Sequence, residues 1–149
     1  MQRIHDPAVR DRIKARLKQL TPASPRKWGK MTPDQMLWHC AEPIEVALGK
    51  KPYGEMPKAP PMPAGMIRFL LLRMPWPKGK LPTAPAFLAK GSYDFEAQRK
   101  RLIGLVDELA SRDPGGMAQH HPIFKENSIA YQSQLQAKHL NHHLTQFGV

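Results

Sequence analysis

Nine of the sixteen prolines in this 149-residue chain fall between Lys50 and Gly91. Proline has no N–H to donate and fixes its own φ. A run this dense in proline therefore builds neither a regular helix nor a central strand. One apolar piece inside it, "AGMIRFLLLRM", can form a short helix. The "PWPKGKLPTAP" that follows must be extended or turning. A connection of about 40 residues with little regular structure is uncommon in a compact domain and is often functional where it occurs. Residues 50–91 are thus expected to cross from one end of a helical domain to the other and to roof a cavity, as a crossover or lid.

On either side of this stretch the apolar pattern is helical. The first predicted helix spans about Pro7 to Leu20. Asp6 caps it, Pro7 occupies its first position, and Val9, Ile13, Leu17 and Leu20 form one stripe. The second opens at "MTPDQMLWHC", where Thr32 and Gln35 have the spacing of a capping box. It continues through Met36, Leu37, Cys40, Ile44 and Leu48 to Gly49. A third spans about Asp94 to Ser111, with Phe95, Leu102, Leu105, Val106 and Leu109 inward, and "RDPGG" stops it. A fourth spans about Glu126 to Gln146. No segment alternates with the period of a strand. The expected class is all-α: residues 1–149 form a single antiparallel four-helix bundle, with the proline-rich crossover between helices two and three.

A lone cysteine, Cys40, excludes an internal disulfide framework and a cysteine-built zinc site. No 18-residue apolar run is present, so no membrane-spanning helix is expected. The charged opening "MQRIHDPAVRDRIKARLKQL" is unlike a signal peptide, and the expected location is cytoplasmic. The formal charge of +11 raises a nucleic-acid partner. However, the basic residues are spread along all the helices, aromatics make up only 7%, and no nucleic-acid motif is present.

Three of the seven histidines, His139, His142 and His143, fall within five residues of "KHLNHHLTQFGV". Residues four apart share a helix face, so His139 and His143 can converge on one ion. With His139 as zero on the helical wheel, His143 lies at about +40° and His142 at about −60°. The apolar residues Ile129, Leu140 and Phe147 lie near +90°, on the His143 side. His139 with His143 is the preferred pair, and His142 takes a flanking or solvent role. A catalytic site of the zinc type needs a third protein ligand and an open position. His39 on the second helix is the best candidate. Pro43, four residues on, cannot donate to its carbonyl, so the helix should loosen there. His120 and His121 are weaker alternative ligands in a turn, and His5 is set aside near the N-terminus. Cys40 points about 100° away from His39, toward the core. Trp28 and Trp38 read as packing residues, with Trp38 the one that can line a pocket. Gln35, Glu42 and Gln146, each about a turn from a ligand, can fix imidazole tautomers.

The order of parts is a histidine in the second helix, a long crossover, and H-x-x-x-H near the end of the fourth. It resembles the DinB/YfiT-like metalloenzyme superfamily. "SPRKWGKMTPDQMLWHCAEPIEVALG" and "HPIF…KHLNHHLTQFGV" are similar to a small bacterial branch of it, closing in an HHLxQFG-type tail. The resemblance implies a four-helix bundle with a three-histidine divalent metal site. The ligands would be His39, His139 and His143. Many members carry a tryptophan about eight residues before the H-x-x-x-H, where this chain has Tyr131. Better-understood relatives transfer low-molecular-weight thiols or isomerise thiol adducts.

The expected cofactor is a divalent metal ion, zinc or nickel first, with iron or copper also compatible with imidazole. The expected function is a metal-dependent enzyme, either a thiol-dependent transferase or a metal-activated hydrolase. Its substrate would be a small thiol or anionic compound, attracted by Arg68, Arg73, Lys78 and Lys80. Glu42 or Glu45 are candidate bases. The rival is a non-catalytic binding or stress-response bundle. In that reading "MIRFLLLRM" serves as a homodimer surface, or the charge serves a nucleic acid.

Overall fold

The computed structural model describes residues 1–149 and is all-helical, with five helices and no strands. The helices are α1 (Pro7–Gln19), α2 (Pro33–Ala47), α3 (Ala64–Arg73), α4 (Phe95–Ser111) and α5 (Ile129–Gln146). A single 3-10 turn spans Pro85–Phe87. No helix is long and apolar enough to cross a membrane.

The helix starts are set by side chains that satisfy otherwise unpaired N–H groups. Asp6 accepts from Ala8 N at 3.0 Å, Asp94 from Ala97 N at 2.7 Å, and Ser128 from Tyr131 N at 3.1 Å. At α2 the Gln35 side chain reaches back to accept from Thr32 N at 3.1 Å. Pro43 lies inside α2, which nevertheless runs unbroken to Ala47.

Four helices share one core, to which Leu17, Met36, Leu102, Leu109, Leu140 and Leu144 contribute completely buried side chains. Each such leucine contributes roughly 1.5–3 kcal/mol by leaving water. α1 packs on α4 and α5, α2 also packs on α4 and α5, and α1 and α2 do not touch. Paired residues give the directions. Lys14 meets Asp107 while the Leu20 carbonyl meets Arg99, so α1 and α4 are antiparallel. His39 meets His139 while Trp28, ahead of α2, meets Gln146, so α2 and α5 are antiparallel as well. By contrast, Glu42 meets Arg101 and Lys50 meets Glu108, which makes α2 and α4 parallel. Ile4 beside Ser133 and Arg16 beside Asn141 make α1 and α5 parallel. Two of these four pairs thus depart from a purely antiparallel bundle. The parallel α2/α4 pair explains the long connection, because the chain must return to the end where α2 began.

That return carries α3, which lies against α5. Lys138 on α5 donates to the carbonyls of Leu71 and Leu72 at 2.7 and 3.0 Å and caps the α3 C-terminus. Arg68 donates to the Phe124 carbonyl at 2.5 Å. Leu71 and Trp76 face inward from this segment, whereas Met66 and Phe69 are more than half exposed.

Candidate metal centre

The crossover covers a cavity of about 560 Å³ against α2 and α5. Its walls are mostly apolar and include Trp28, Leu71, Trp76, Phe87, Leu88 and Leu135. His39 projects into it from α2, and His139 and His143 project from successive turns of α5. One ring nitrogen from each lies within 4.8 Å of the others, and His39 Nε2 is 3.0 Å from His139 Nε2. All three rings are mutually edge-on, with centroids 4.7–4.9 Å apart.

Backbone carbonyls determine which way these rings are protonated. A carbonyl only accepts, so the Phe87 oxygen, 2.8 Å from His39 Nδ1, requires a proton on that nitrogen. The Trp28 carbonyl accepts from Gln146 Nε2 at 2.8 Å. The other end of that amide, its oxygen, therefore faces His143 Nδ1 at 2.8 Å, which must donate. A longer relay orients His139. Asn127 Nδ2 donates to the Gln119 carbonyl, Gln132 to Asn127 Oδ1, and Gln136 to Gln132 Oε1, at 2.8, 2.8 and 2.9 Å. Gln136 Oε1 is left facing His139 Nδ1 at 3.4 Å. All three Nδ1 atoms are thus donors, and all three Nε2 lone pairs are free for the centre of the cluster.

Neutral imidazole is reinforced by burial. Burial lowers the pKa of His39 against the hydrogen bond it donates to the Phe87 carbonyl, and the charge His142 would carry adds to the lowering. Burial, then His143 and His39, takes His139 well below the usual value. Burial and His39 bring His143 down to about 3, against the opposing hydrogen bond that its Nδ1 donates to Gln146. Three acceptor nitrogens therefore face one another with no donor among them, an arrangement that favours a cation. A tetrahedral ion with bonds of about 2.0–2.1 Å needs ligand nitrogens about 3.3 Å apart. The His39–His139 pair stands near that figure at 3.0 Å, and the wider separations, which reach 4.8 Å, would have to close for all three nitrogens to bind one such ion.

Gly29 makes the Gln146 contact possible. Its φ is +78°, and a Cβ there would stand 2.5 Å from Gln146 Nε2. His142 sits beside the trio, edge-on to Trp28 and Trp76 at 5.6 and 5.7 Å, outside the three-nitrogen cluster.

Several expectations are corrected. Gln35 caps α2 and donates to the Gly91 carbonyl instead of reaching a histidine. Glu42 and Glu45 form an ion-pair cluster with Arg101 and Lys51 outside the cavity, which removes them as bases for this site. Desolvation would raise the Glu45 pKa, but hydrogen bonds from Arg101 and Lys51 hold it low. Arg68 serves the Phe124 carbonyl and Arg73 lies over Phe69, and neither lines the cavity. Trp38 stacks on Tyr93 at 5.2 Å away from the cavity, whose indoles are Trp28 and Trp76. Tyr131, where similar chains carry a tryptophan, packs edge-on to Phe124 outside the cavity wall. Cys40 lies in the core as expected, completely buried, and burial raises its pKa. His120 stays outside the cavity wall, and His5 bridges Ser133 and the Arg112 carbonyl. His121 lines the cavity but is not grouped with the three histidines. Its Nδ1 accepts from Ile123 N and Phe124 N, and burial lowers its pKa to about 4.

Gln136 and the Phe87 carbonyl were not anticipated. A glutamine three residues before His139 obeys the same spacing rule as Gln146 three after His143, so the signal was present. The Phe87 carbonyl has no side-chain signature at all.

No family model, curated protein or solved structure matches this chain.

Proposed function

We propose that His39, His139 and His143 hold a divalent metal ion, and that the protein is a metal-dependent enzyme of the DinB/YfiT-like four-helix type. The observation that carries this reading is the set of three inward-facing Nε2 lone pairs, each enforced from behind by an acceptor traceable to a backbone carbonyl. Such outer partners are characteristic of histidines that ligate metal. Zinc and nickel suit three neutral imidazoles, as do iron and copper. A bound divalent ion would act as a Lewis acid, lowering the pKa of a thiol or water toward neutrality.

The chain's own residues supply position and exclusion. Three ligands from two helices leave coordination room on the cavity side. The crossover, through Leu71, Trp76 and Leu88, limits water. No aspartate or glutamate lines the cavity, so no carboxylate base is at hand. The metal alone must then ionise the nucleophile, and a thiol, with a free pKa of about 8.5, needs a far smaller shift than water, which favours a thiol-dependent transferase over a hydrolase. The test is thiol consumption by metal-loaded protein with a small thiol and an electrophilic co-substrate. Turnover that His39→Ala abolishes is the expected result. Metal-loaded protein that neither binds nor consumes any thiol would instead favour the non-catalytic binding protein.

A further inference from the structure

The identity of the charged groups around the cavity restricts what it can hold. Among all its lining residues there is no aspartate or glutamate, and Lys30 is the one formally charged side chain. Lys78 stands over the face of Trp28 at 4.9 Å, at the same wall. The three histidines at the floor are neutral. An ion there would keep its full double positive charge inside a largely apolar enclosure. Uncompensated charge in such surroundings is costly, and an anionic ligand is the way to reduce it. Above the floor, Leu71, Trp76, Leu81, Leu88 and Trp28 offer apolar surface and few hydrogen-bonding groups. A polar ligand such as a sugar or a peptide would lose its water along that wall and find few replacement bonds, the polar side chains of the lining, such as Tyr53 and Thr83, lying elsewhere on it. An alkyl or aryl body would gain from the same transfer.

We propose that this cavity binds an apolar-bodied monoanion, a carboxylate or thiolate on an alkyl or aryl body. The charged head lies at the three-histidine floor, and the body lies along the crossover wall of Trp76, Leu71 and Leu88. This inference rests on the metal reading above and narrows its substrate class. Leu88 is half exposed and lines the wall, so a carboxylate introduced there tests the charge argument with little cost to folding.

The experiment uses cobalt(II)-loaded full-length protein, with ligand binding followed by the visible cobalt spectrum and by calorimetry. The probes are acetate, hexanoate, octanoate, octanol and octyltrimethylammonium. Affinity is expected to rise about threefold to fourfold per methylene from acetate to octanoate. Octanol should bind at least tenfold more weakly than octanoate, and octyltrimethylammonium should not bind. Leu88→Asp should keep its cobalt and lose at least tenfold in octanoate affinity, while Leu88→Asn loses much less. Equal binding of acetate and octanoate would overturn the apolar body, and equal binding of octanoate and octyltrimethylammonium would overturn the anion. Cobalt uptake with either of those results leaves the metal centre standing and removes only this inference. A protein that takes up no cobalt overturns the metal centre and the inference together.

Discussion

His39 and Glu42 lie three residues apart on α2, and each belongs to a buried polar cluster, but the two clusters are opposite in kind. Glu42 is closed on itself. Lys51 at 2.5 Å and Arg101 at 2.6 Å answer its charge, and Glu45 shares both partners. Donors and acceptors balance, and nothing more is needed. The histidine cluster is balanced only at its rear. Each Nδ1 has its acceptor, while the three Nε2 atoms meet with no donor between them. A closed cluster holds helices together, and an open one leaves acceptor nitrogens that could hold a cation. Burial alone does not separate them, since Glu42 and His39 are almost equally buried, at 6% and 7% exposure.

The contrast breaks most visibly at the ligands. His39→Ala should lower metal affinity by more than the roughly 100-fold that removal of an outer partner can cost. Competition with a chromogenic chelator measures it. Glu42→Gln, on the same helix, should leave that affinity unchanged. A similar loss in both variants would mean that the clusters are not independent.

Next in size are the amides behind the rings. Gln146→Leu and Gln136→Leu should each weaken metal binding by roughly 10–100-fold by releasing an imidazole from its tautomer. Gln146 should have the larger effect, since it bonds its histidine at 2.8 Å against 3.4 Å for Gln136. The same chelator competition ranks them.

Acid should act on the open cluster in metal-free protein. His143 has a folded pKa of about 3 and an ordinary unfolded value near 6.5. Between those values the unfolded chain binds the extra proton, so stability is full above about pH 6.5 and falls as pH drops toward 3. The slope approaches about 1.4 kcal/mol per pH unit for this group. Urea midpoints between pH 7 and pH 4 read it out, and His143→Gln should make the curve shallower by that amount, with His39, His139 and His121 supplying the slope that remains.

The smallest effect belongs to the closed cluster. Glu42→Gln should cost about 1–2 kcal/mol of stability, because Lys51 and Arg101 are partly exposed and can return to water. Thermal unfolding measures that loss.

Much of this was readable from the residues. Asp6 marks the start of α1 because a cap is a local bond between near neighbours, whereas α5 starts at Ile129 behind Ser128, three residues past the expected Glu126. His139 and His143 converge because the helix repeat alone places them on one face. What escaped depends on long-range packing. The direction of α4 beside α2 follows from where the crossover returns the chain. That return also decides that Trp76 and Phe87, instead of Trp38, border the cavity. Glu42 looked like a partner for His39 by spacing, but Arg101, 59 positions away, takes it.

The central claim is that three histidines from two helices form one cation site. Its most direct test is metal content, measured by mass spectrometry, of untagged protein and of the His139→Ala/His143→Ala double variant, purified side by side. About one divalent ion per chain in the wild type and none in the variant is the predicted result. Equal metal in both proteins would contradict it.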